Sequence, residues 1–494
     1  MSAKYHRITK QLGFSYFFMI LTFLIGPFLI FLLTRTLSVK EFGIYSLLAS
    51  TVAIFTVILD LGFHKYIVTK LSGLNYLKGI KHFFSLLTLE LGFLVVLFVV
   101  LFLSPLYGWL LEFLKLSSYE TEFQLCLTII FLGVIFRFFV SYLKARKKIE
   151  LQSFYSFFHT SFWVLILISF YLIKNQMSLL TVVSIWLVGV VITVLLLTFF
   201  SLRKEIIIFL FKIKKIDTSI MKKGLVFSLP LIPVFVASYI IEFADRYMLN
   251  SYMDAEKVGF YALSYSLVWV IISFSAVIHN VLYVHAANAW NQKKNHHTLF
   301  NAMFKYDLMF VLPAIVGLFV MREQVITLIS GPNYLIGAST IGILILSPLF
   351  VSLATLFQNN LLLRSKTKTM AIIYIFGAVL NILLNMFLIP KYGIDGAAIS
   401  TTISYFLMLF MSYVVSRKQI LWNYGFLKIF RIIFASAFMG VIVYSINPQI
   451  YLTKIITIVV GVVVYVVLLF LFRVFSKKEY SIMNHFLPKF LKLK

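Results

Sequence analysis

The sequence of 494 residues has few charged residues for its length. Only 12% of its residues are charged and 61% are hydrophobic, whereas soluble globular chains have about 25% and about 45–50%. A soluble chain of this length would divide into domains joined by polar linkers, because one hydrophobic core stops growing at about 250–300 residues. The sequence shows no such linker. This composition excludes a soluble enzyme, a disordered protein and a nucleic-acid-binding protein, and it predicts an all-α polytopic membrane protein.

Three further absences narrow the function. The single cysteine, Cys126, lies in an apolar run, so no disulfide framework and no thiolate metal site are expected. No phosphate-cradling G-x-x-x-x-G-K-[ST] motif occurs, which excludes an ATPase. There is also no secretory signal with a small-residue cleavage site before the first apolar run. We therefore expect no metal, no cofactor and no enzymatic activity.

Long apolar runs account for most of the chain. A membrane-spanning helix needs about 20 largely apolar residues, and fourteen such runs are present. No loop between them is long enough for a folded extramembrane domain. The predicted spans are 12–34, 42–63, 83–104, 122–143, 151–173, 178–202, 224–247, 258–283, 304–320, 338–361, 369–389, 393–415, 429–447 and 453–472.

The distribution of cations predicts the orientation of the chain. Of the 44 Lys and Arg residues, 34 fall before span 1 or after the even-numbered spans, and 9 fall after odd-numbered spans. Cytosolic loops carry the excess of Lys and Arg, so both termini are predicted to lie in the cytosol. Most of the net charge of +27 therefore sets topology and meets anionic membrane lipid. The remaining cation is Arg137, inside span 4.

An internal repeat divides the chain into halves. The segment EFGIYSL at 41–47 matches KVGFYAL at 257–263 in Gly, Tyr and Leu, at an offset of 216. Leu, Arg and Lys in 143–148 match those in 361–366 at an offset of 218. Both matches are six spans apart, which is an even number and gives a parallel repeat. The predicted domains are two six-helix lobes, at 1–202 and 224–416, joined by a basic amphipathic cytosolic linker at 203–223. An appended helix pair with a basic tail follows at 417–494.

Several short motifs follow one another in an order and spacing known from one family. They are Thr34–Tyr45 with Asp60–Gly62, Ser228–Pro233 with Asp245 and Arg246, Gly331–Tyr334, and Tyr392–Ala398. Together they resemble the polysaccharide-unit flippases, the O-antigen and capsule flippases of the multidrug/oligosaccharidyl-lipid/polysaccharide exporter superfamily. The resemblance covers nearly the whole chain.

The resemblance implies a fold and an activity. It implies two six-helix lobes around a central cavity that opens alternately to each side of the cell membrane. It implies that a polyprenyl-diphosphate-linked oligosaccharide is moved from the inner to the outer leaflet, with polysaccharide-assembly proteins as partners. Two alternatives stay open: a multidrug or lipid II-type exporter of the same superfamily, and a membrane polysaccharide polymerase or glycosyltransferase.

Charges within the spans are the candidate functional residues, because each costs at least about 2.5–3.5 kcal/mol to insert. In the first half, we expect a cytosolic-side cluster formed by Asp60, Glu90, Arg137 and His159. In the second half, Glu242, Asp245 and Arg246 are predicted near the outer end of span 7, where Glu242 and Arg246 can pair at i, i+4. Candidates elsewhere are Arg35 at the outer end of span 1, His279 in span 8 and Asp307 early in span 9.

The implied cargo suggests roles for these groups. A diphosphate carries two negative charges, and the guanidinium fork binds phosphate oxygens in pairs. Arg137, Arg35 and Arg246 are therefore predicted to bind substrate. The acids and histidines are predicted to line the cavity or to carry a coupling proton or Na⁺. Gly26-Pro27 in span 1 and Pro230 with Pro233 in span 7 are predicted to kink their helices.

Overall fold

The computed structural model describes residues 2–174, 177–213, 216–420, 425–448, 450–476 and 479. Within these ranges every regular element is helical. The predicted basic tail lies largely outside the described residues. The α-helices are α1 Ser2–Thr36, α2 Val39–Leu59, α3 Phe63–Leu71, α4 Tyr76–Leu103, α5 Leu106–Phe113, α6 Glu120–Ala145, α7 Ile149–Lys174, α8 Leu179–Leu196, α9 Arg203–Ile208, α10 Thr218–Ser228, α11 Ile232–Tyr252, α12 Ala255–Asn291, α13 His297–Val320, α14 Arg322–Ile329, α15 Gly337–Leu344, α16 Ser347–Leu363, α17 Thr367–Ser416, α18 Phe426–Ile446 and α19 Tyr451–Leu471.

Thirteen helical stretches of the described chain are long and apolar enough to cross a membrane, so the chain is a multi-pass membrane protein. The predicted spans 11 and 12 both fall within α17, whose 50 residues would reach about 75 Å if straight. Gly393 interrupts this helix with φ 57° and ψ −132°, between the two predicted spans. The count of fourteen crossings and the cytosolic location of both termini stay predictions.

The chain packs into two compact units. The first comprises Met1–Ala262 and Ile382–Ala397, and the second comprises Leu263–Asn381 and Ala398–Lys494. The division into two lobes, a linker and a C-terminal region proposed from the sequence stays a prediction. Of the proposed linker, residues 203–213 continue span 6 as helix, through two π-helical segments at Leu197–Leu202 and Phe209–Ile213.

Buried aromatic rings join α3, α4 and α6 in the first unit. The ring centroids of Phe83 and Tyr142 are 4.5 Å apart, and those of Phe63 and Phe138 are 5.9 Å apart. All four side chains are fully buried. This cluster lies beside the end of α2 and joins the helices that carry Glu90 and Arg137.

In the second unit, α18 and α19 pack on α13. Ile432, Met439 and Leu468 belong to the buried core that joins them. A Cβ atom at Gly440 would approach Val316 Cγ1 to 2.4 Å, so α18 and α13 come close at this glycine.

The prolines affect their helices differently. Leu229–Leu231 forms a 3₁₀ segment around Pro230 that separates α10 from α11, as the sequence predicted for span 7. Helix α1 continues without interruption through Pro27. The kink predicted at Gly26-Pro27 stays a prediction.

The matched motifs of the repeat adopt the same local structure. Helices α6 and α16 each end with a left-handed residue, Lys147 (φ 59°) and Ser365 (φ 57°), which are 218 positions apart. The amide of Lys148 donates to the carbonyl of Leu143, and that of Lys366 donates to Leu361. Both ends are therefore Schellman-type caps, and the sequence match marks one turn used twice.

Two glycines of the other matched motif meet at a backbone crossing. A Cβ atom on Gly43 would lie 1.8 Å from the carbonyl oxygen of Ala255, and one on Gly259 would lie 2.3 Å from that of Val39. Each glycine thus touches the residue four positions before the other glycine. The starts of α2 and α12 approach this closely because neither position carries a side chain.

We expect Gly43→Ala to destabilise the protein by about 1–3 kcal/mol, because the added methyl group must displace a backbone rather than a side chain. The free energy of unfolding in detergent micelles measures this loss. Gly92→Ala is the matched control, since nothing lies within 4 Å of its Cβ position and alanine favours a helix by about 1 kcal/mol. Equal stability of the two variants would contradict the described crossing.

Candidate functional site

A tight turn at the end of α2 positions the candidate site. The helix ends at Leu59, Asp60 caps it, and Leu61 and Gly62 adopt left-handed conformations with φ 46° and 74°. Ser228 Oγ donates to the Gly62 carbonyl over 3.2 Å. A Cβ on Gly62 would lie 3.1 Å from the Ser228 carbonyl oxygen, so this turn needs glycine for both its φ value and its packing.

The turn directs α3 back across α6 and brings three ionisable groups together. Asp60 is fully buried, and its Oδ2 contacts Nδ1 of His64. Arg137 Nη2, from α6, lies 3.4 Å from the same Oδ2 and 3.3 Å from His64 Nδ1. The Arg137 side chain is 30% exposed, so it can reach solvent or a ligand while it contacts the buried acid.

A second buried acid lies near this group. Glu90 on α4 is 1% exposed, and neither of its carboxyl oxygens has a hydrogen-bond partner among the described residues. It interacts electrostatically with Asp60. An unpaired carboxylate is costly to bury, so Glu90 is suited to carrying a proton or receiving a cation.

Further cationic side chains lie close to Asp60, His64 and Arg137. Burial lowers the pKa of Lys65 on α3, and the charges of Lys144 and Arg137 lower it further. Lys144 lies seven residues after Arg137, on the same face of α6. The hydroxyl of Tyr239 on α11 also interacts electrostatically with Arg137. We call Asp60, His64, Lys65, Arg137 and Lys144 the α2-end cluster; its excess of cations is suited to binding an anion.

The other two arginines predicted to bind substrate lie beside α2 at a distance from Asp60. Arg246 Nη1 donates to Ser50 Oγ over 2.8 Å, and its guanidinium stacks over Phe243 at 4.8 Å. Ser50 is ten residues before Asp60, or about 15 Å along the helix. Arg246 lies six residues before the end of α11 at Tyr252, and its predicted location near the outer end of span 7 stays a prediction. Arg35 is exposed just before α2 begins, over the ring of Phe31 at 5.8 Å.

The two acids beside Arg246 have different surroundings. Glu242 is half-buried and attracts Arg246 one helical turn away, as its i, i+4 spacing predicted. Asp245 is fully buried and accepts hydrogen bonds from Tyr261 on α12 and from Asn385 on α17. Both of these donors are neutral, which the sequence did not indicate.

The remaining candidates lie outside the α2-end cluster. His159 on α7 stacks on Phe136 with a centroid distance of 4.0 Å, and its Nε2 has no hydrogen-bond partner in the described chain. In the second unit, His279 Nε2 lies 3.5 Å from Oδ1 of Asp307, which also accepts a hydrogen bond from Ser275.

Sequence reasoning missed His64, Lys65 and Lys144 as members of the cluster. Spacing could have found two of them, since His64 follows Asp60 by four residues and Lys144 follows Arg137 by seven. No group of three or more His, Cys, Asp or Glu that could hold a metal ion occurs in the part of the chain that the structure describes.

The sequence matches the profiles of two known protein families. The sequence profile of the polysaccharide biosynthesis protein family matches residues 8–283, more than half of the chain. The chain belongs to the polysaccharide biosynthesis protein family. The MatE profile matches residues 230–387 of this family member. Its fold is that of the multidrug/oligosaccharidyl-lipid/polysaccharide exporter superfamily, as the sequence motifs predicted.

One solved structure and two curated relatives illustrate the similarity of this family member. The lipid II flippase MurJ, in its inward closed conformation, superposes with a TM-score of 0.77 at 16% identity, covering 93% of this chain and 98% of MurJ. The probable low-salt glycan biosynthesis flippase Agl15 of Haloferax volcanii is 20% identical over 42% of this chain and 45% of its own. The putative O-antigen transporter of Shigella flexneri is 25% identical over 34% and 40%. The chain spans 35–45% of the length of the curated relatives it matches.

The contact between Asp60 and Arg137 can be measured by a double-mutant cycle. We expect Asp60→Asn and Arg137→Gln each to lower the free energy of unfolding, because each leaves a charge without its partner. The double variant should lose about 0.5–3 kcal/mol less than the sum of the two, measured by denaturant titration in detergent micelles.

The exposed pair Lys81 and Asp217, 2.8 Å apart, is the matched control. Its lysine lowers the pKa of Asp217 by a hydrogen bond, but water screens such a surface pair, so its coupling should be weaker than that of Asp60 with Arg137. Strict additivity at Asp60 and Arg137 would contradict a direct interaction between them.

Proposed function

We propose that this protein is a transporter that moves a polyprenyl-diphosphate-linked oligosaccharide from the cytosolic to the outer leaflet of the cytoplasmic membrane by alternating access. The observation that carries the proposal is the α2-end cluster, in which a partly exposed Arg137 is flanked by Lys65 and Lys144. Membership of a polysaccharide biosynthesis family and relatives named as a glycan flippase and an O-antigen transporter support it.

The cluster suits a diphosphate for chemical reasons. Arg137 presents a planar fork that binds two phosphate oxygens at once, and the two lysines add positive charge beside it. When no cargo is bound, Asp60 provides the negative charge that a partly buried guanidinium needs. The cargo thus replaces one anion by another, so Arg137 never loses its partner.

Arg35, Arg246 and Arg137 would serve as successive contacts for the diphosphate. They lie near the start, the middle and the end of α2, which is about 30 Å long from its 21 residues. This length is close to the thickness of the hydrocarbon core, about 30 Å. A cargo crossing the membrane would therefore meet a guanidinium about every 15 Å.

Transport against a gradient requires an energy source, and the sequence has no phosphate-cradling motif. We propose that an ion moving inward, a proton or Na⁺, drives the cycle, with Glu90, Asp60 and Asp245 as candidate carriers. The membrane potential supplies about 2.3 kcal/mol per elementary charge per 100 mV. The unpartnered carboxyl group of Glu90 is the best placed of the three to bind such an ion.

One alternative is favoured by a specific observation. The MatE match over residues 230–387 favours a drug exporter of the same superfamily. Against it, residues 13–36 of α1 contain no carboxylate that could couple transport to a cation. Transport of a lipophilic cation instead of an anionic lipid would favour this alternative.

We expect Arg137→Ala to slow leaflet transfer of a polyprenyl-diphosphate oligosaccharide in proteoliposomes by about 10- to 100-fold. A hydrogen bond to a charged group contributes about 1.5–3 kcal/mol, and each 1.36 kcal/mol is tenfold. Arg203→Ala removes an exposed arginine of the predicted cytosolic linker and should leave the rate unchanged. Equal rates for wild type and Arg137→Ala would contradict the assignment of the cargo site.

We also expect transfer to slow when ionophores collapse the ion gradients and the membrane potential of the proteoliposomes. Glu90→Gln should then abolish the stimulation by the gradient while it preserves exchange between leaflets at equilibrium. Glu256→Gln, at the first turn of α12, is the matched control. Transfer that is indifferent to both gradients and potential would exclude ion coupling.

A further inference from the structure

His64 Nδ1 has two neighbours with opposite requirements. Asp60 Oδ2 is an acceptor and needs a proton on that nitrogen, whereas Arg137 Nη2 is a donor and needs a lone pair there. Both contacts involve the same nitrogen, with Arg137 Nη2 3.3 Å away. A single nitrogen cannot satisfy both neighbours at once.

The protonation state of the imidazole decides which neighbour is satisfied. A neutral ring with its proton on Nε2 accepts from Arg137, and the guanidinium then also neutralises Asp60. A positively charged ring pairs with Asp60 through Nδ1–H and repels Arg137. The ring is 16% exposed, so the surrounding protein does not enclose it completely.

We propose that His64 is a switch that controls anion binding by Arg137: when the imidazole is protonated it takes over the charge of Asp60, and Arg137 becomes available to the diphosphate of the cargo. This inference rests on the proposed function, since it regulates the same cluster. Anion affinity therefore rises as the pH falls and His64 gains its proton. It falls again as the pH rises and Arg137 returns to Asp60.

The charged groups around His64 favour this exchange. Helix α6 contributes Arg137 and Lys144, and α3 itself contributes Lys65, so an arriving diphosphate meets three cations. Helix α4 contributes Glu90, which acts on Asp60. From α11, the neutral ring of Phe235 packs on the imidazole, with the ring centroids 5.3 Å apart.

The proton on His64 has a different role from the ion that drives transport. A proton that left the cell together with the cargo would move against an inward proton gradient. The proton on His64 therefore returns to the side from which the cargo loads. The switch sets how readily the cluster loads, whereas the coupling ion uses a different group.

Binding of a soluble diphosphate diester tests the switch without transport. Uridine diphosphate glucose is a suitable probe, because its two phosphates keep a constant charge from about pH 5.5 to about pH 7.5, a range that brackets the ordinary pKa of histidine. Titration calorimetry of the full-length protein in detergent would give the dissociation constant at each pH. We expect wild-type affinity to rise at least about fivefold toward acid, the lower end of typical coupling between sites.

Two variants should remove the pH dependence in opposite ways. His64→Gln should bind with the weak affinity of the alkaline state at every pH, because its amide carries no charge to hold Asp60. Asp60→Asn should bind with the high affinity of the acid state at every pH, because Arg137 has lost its competitor. Thermal melting of both variants checks that they are folded, and the second keeps the test valid if the first is unstable.

His82→Gln is the matched control, since His82 is a half-buried histidine outside the cluster, whose Nδ1 lies 2.9 Å from the Lys78 carbonyl oxygen. It should retain the wild-type pH dependence. A wild-type affinity that does not change with pH, or a His64→Gln variant that keeps the change, would overturn the switch. Absence of probe binding at every pH would also overturn it. Failure of leaflet transfer with intact pH-dependent binding would instead reject the proposed cargo and leave the switch standing.

Discussion

The constraint on which this structure depends is that a charge within the hydrocarbon layer needs a partner. Asp60 illustrates this constraint, because its fully buried carboxylate contacts His64 and Arg137. These two contacts explain the structure at the end of α2. The left-handed turn, Gly62 and the contact with Ser228 all serve to place α3 where it supplies His64. The need to satisfy one acid thus shapes three helices.

Asp60 and Asp245 are both fully buried, but the described contacts of their carboxylates differ. Asp245 accepts hydrogen bonds from Tyr261 and Asn385, which are neutral donors. Asp60 instead has ionisable partners, one of which is partly exposed. An ionisable partner can change its charge, and with it the strength of the contact. The contacts of Asp60 can therefore change with the protonation of a partner.

The spans were predictable because a run of about 20 apolar residues has few alternatives to a membrane helix. The boundary at Gly393 was predictable for the same reason. The contact of Asp60 with His64 was not predicted, because the predicted span 42–63 ends before His64. The four-residue spacing could have suggested the pair, but the geometry of the turn that follows Leu59 could not be read from helical spacing. The continuation of α8 to residue 213 as π-helix was likewise beyond the pattern of hydrophobic residues.

The crossing of Gly43 and Gly259 has a consequence for the spacing of two helices. At this point each glycine faces a backbone carbonyl of the other helix. A backbone has no alternative rotamer, so the distance between the starts of α2 and α12 depends on the absence of two side chains. The repeated motif thus sets the distance between its own two copies.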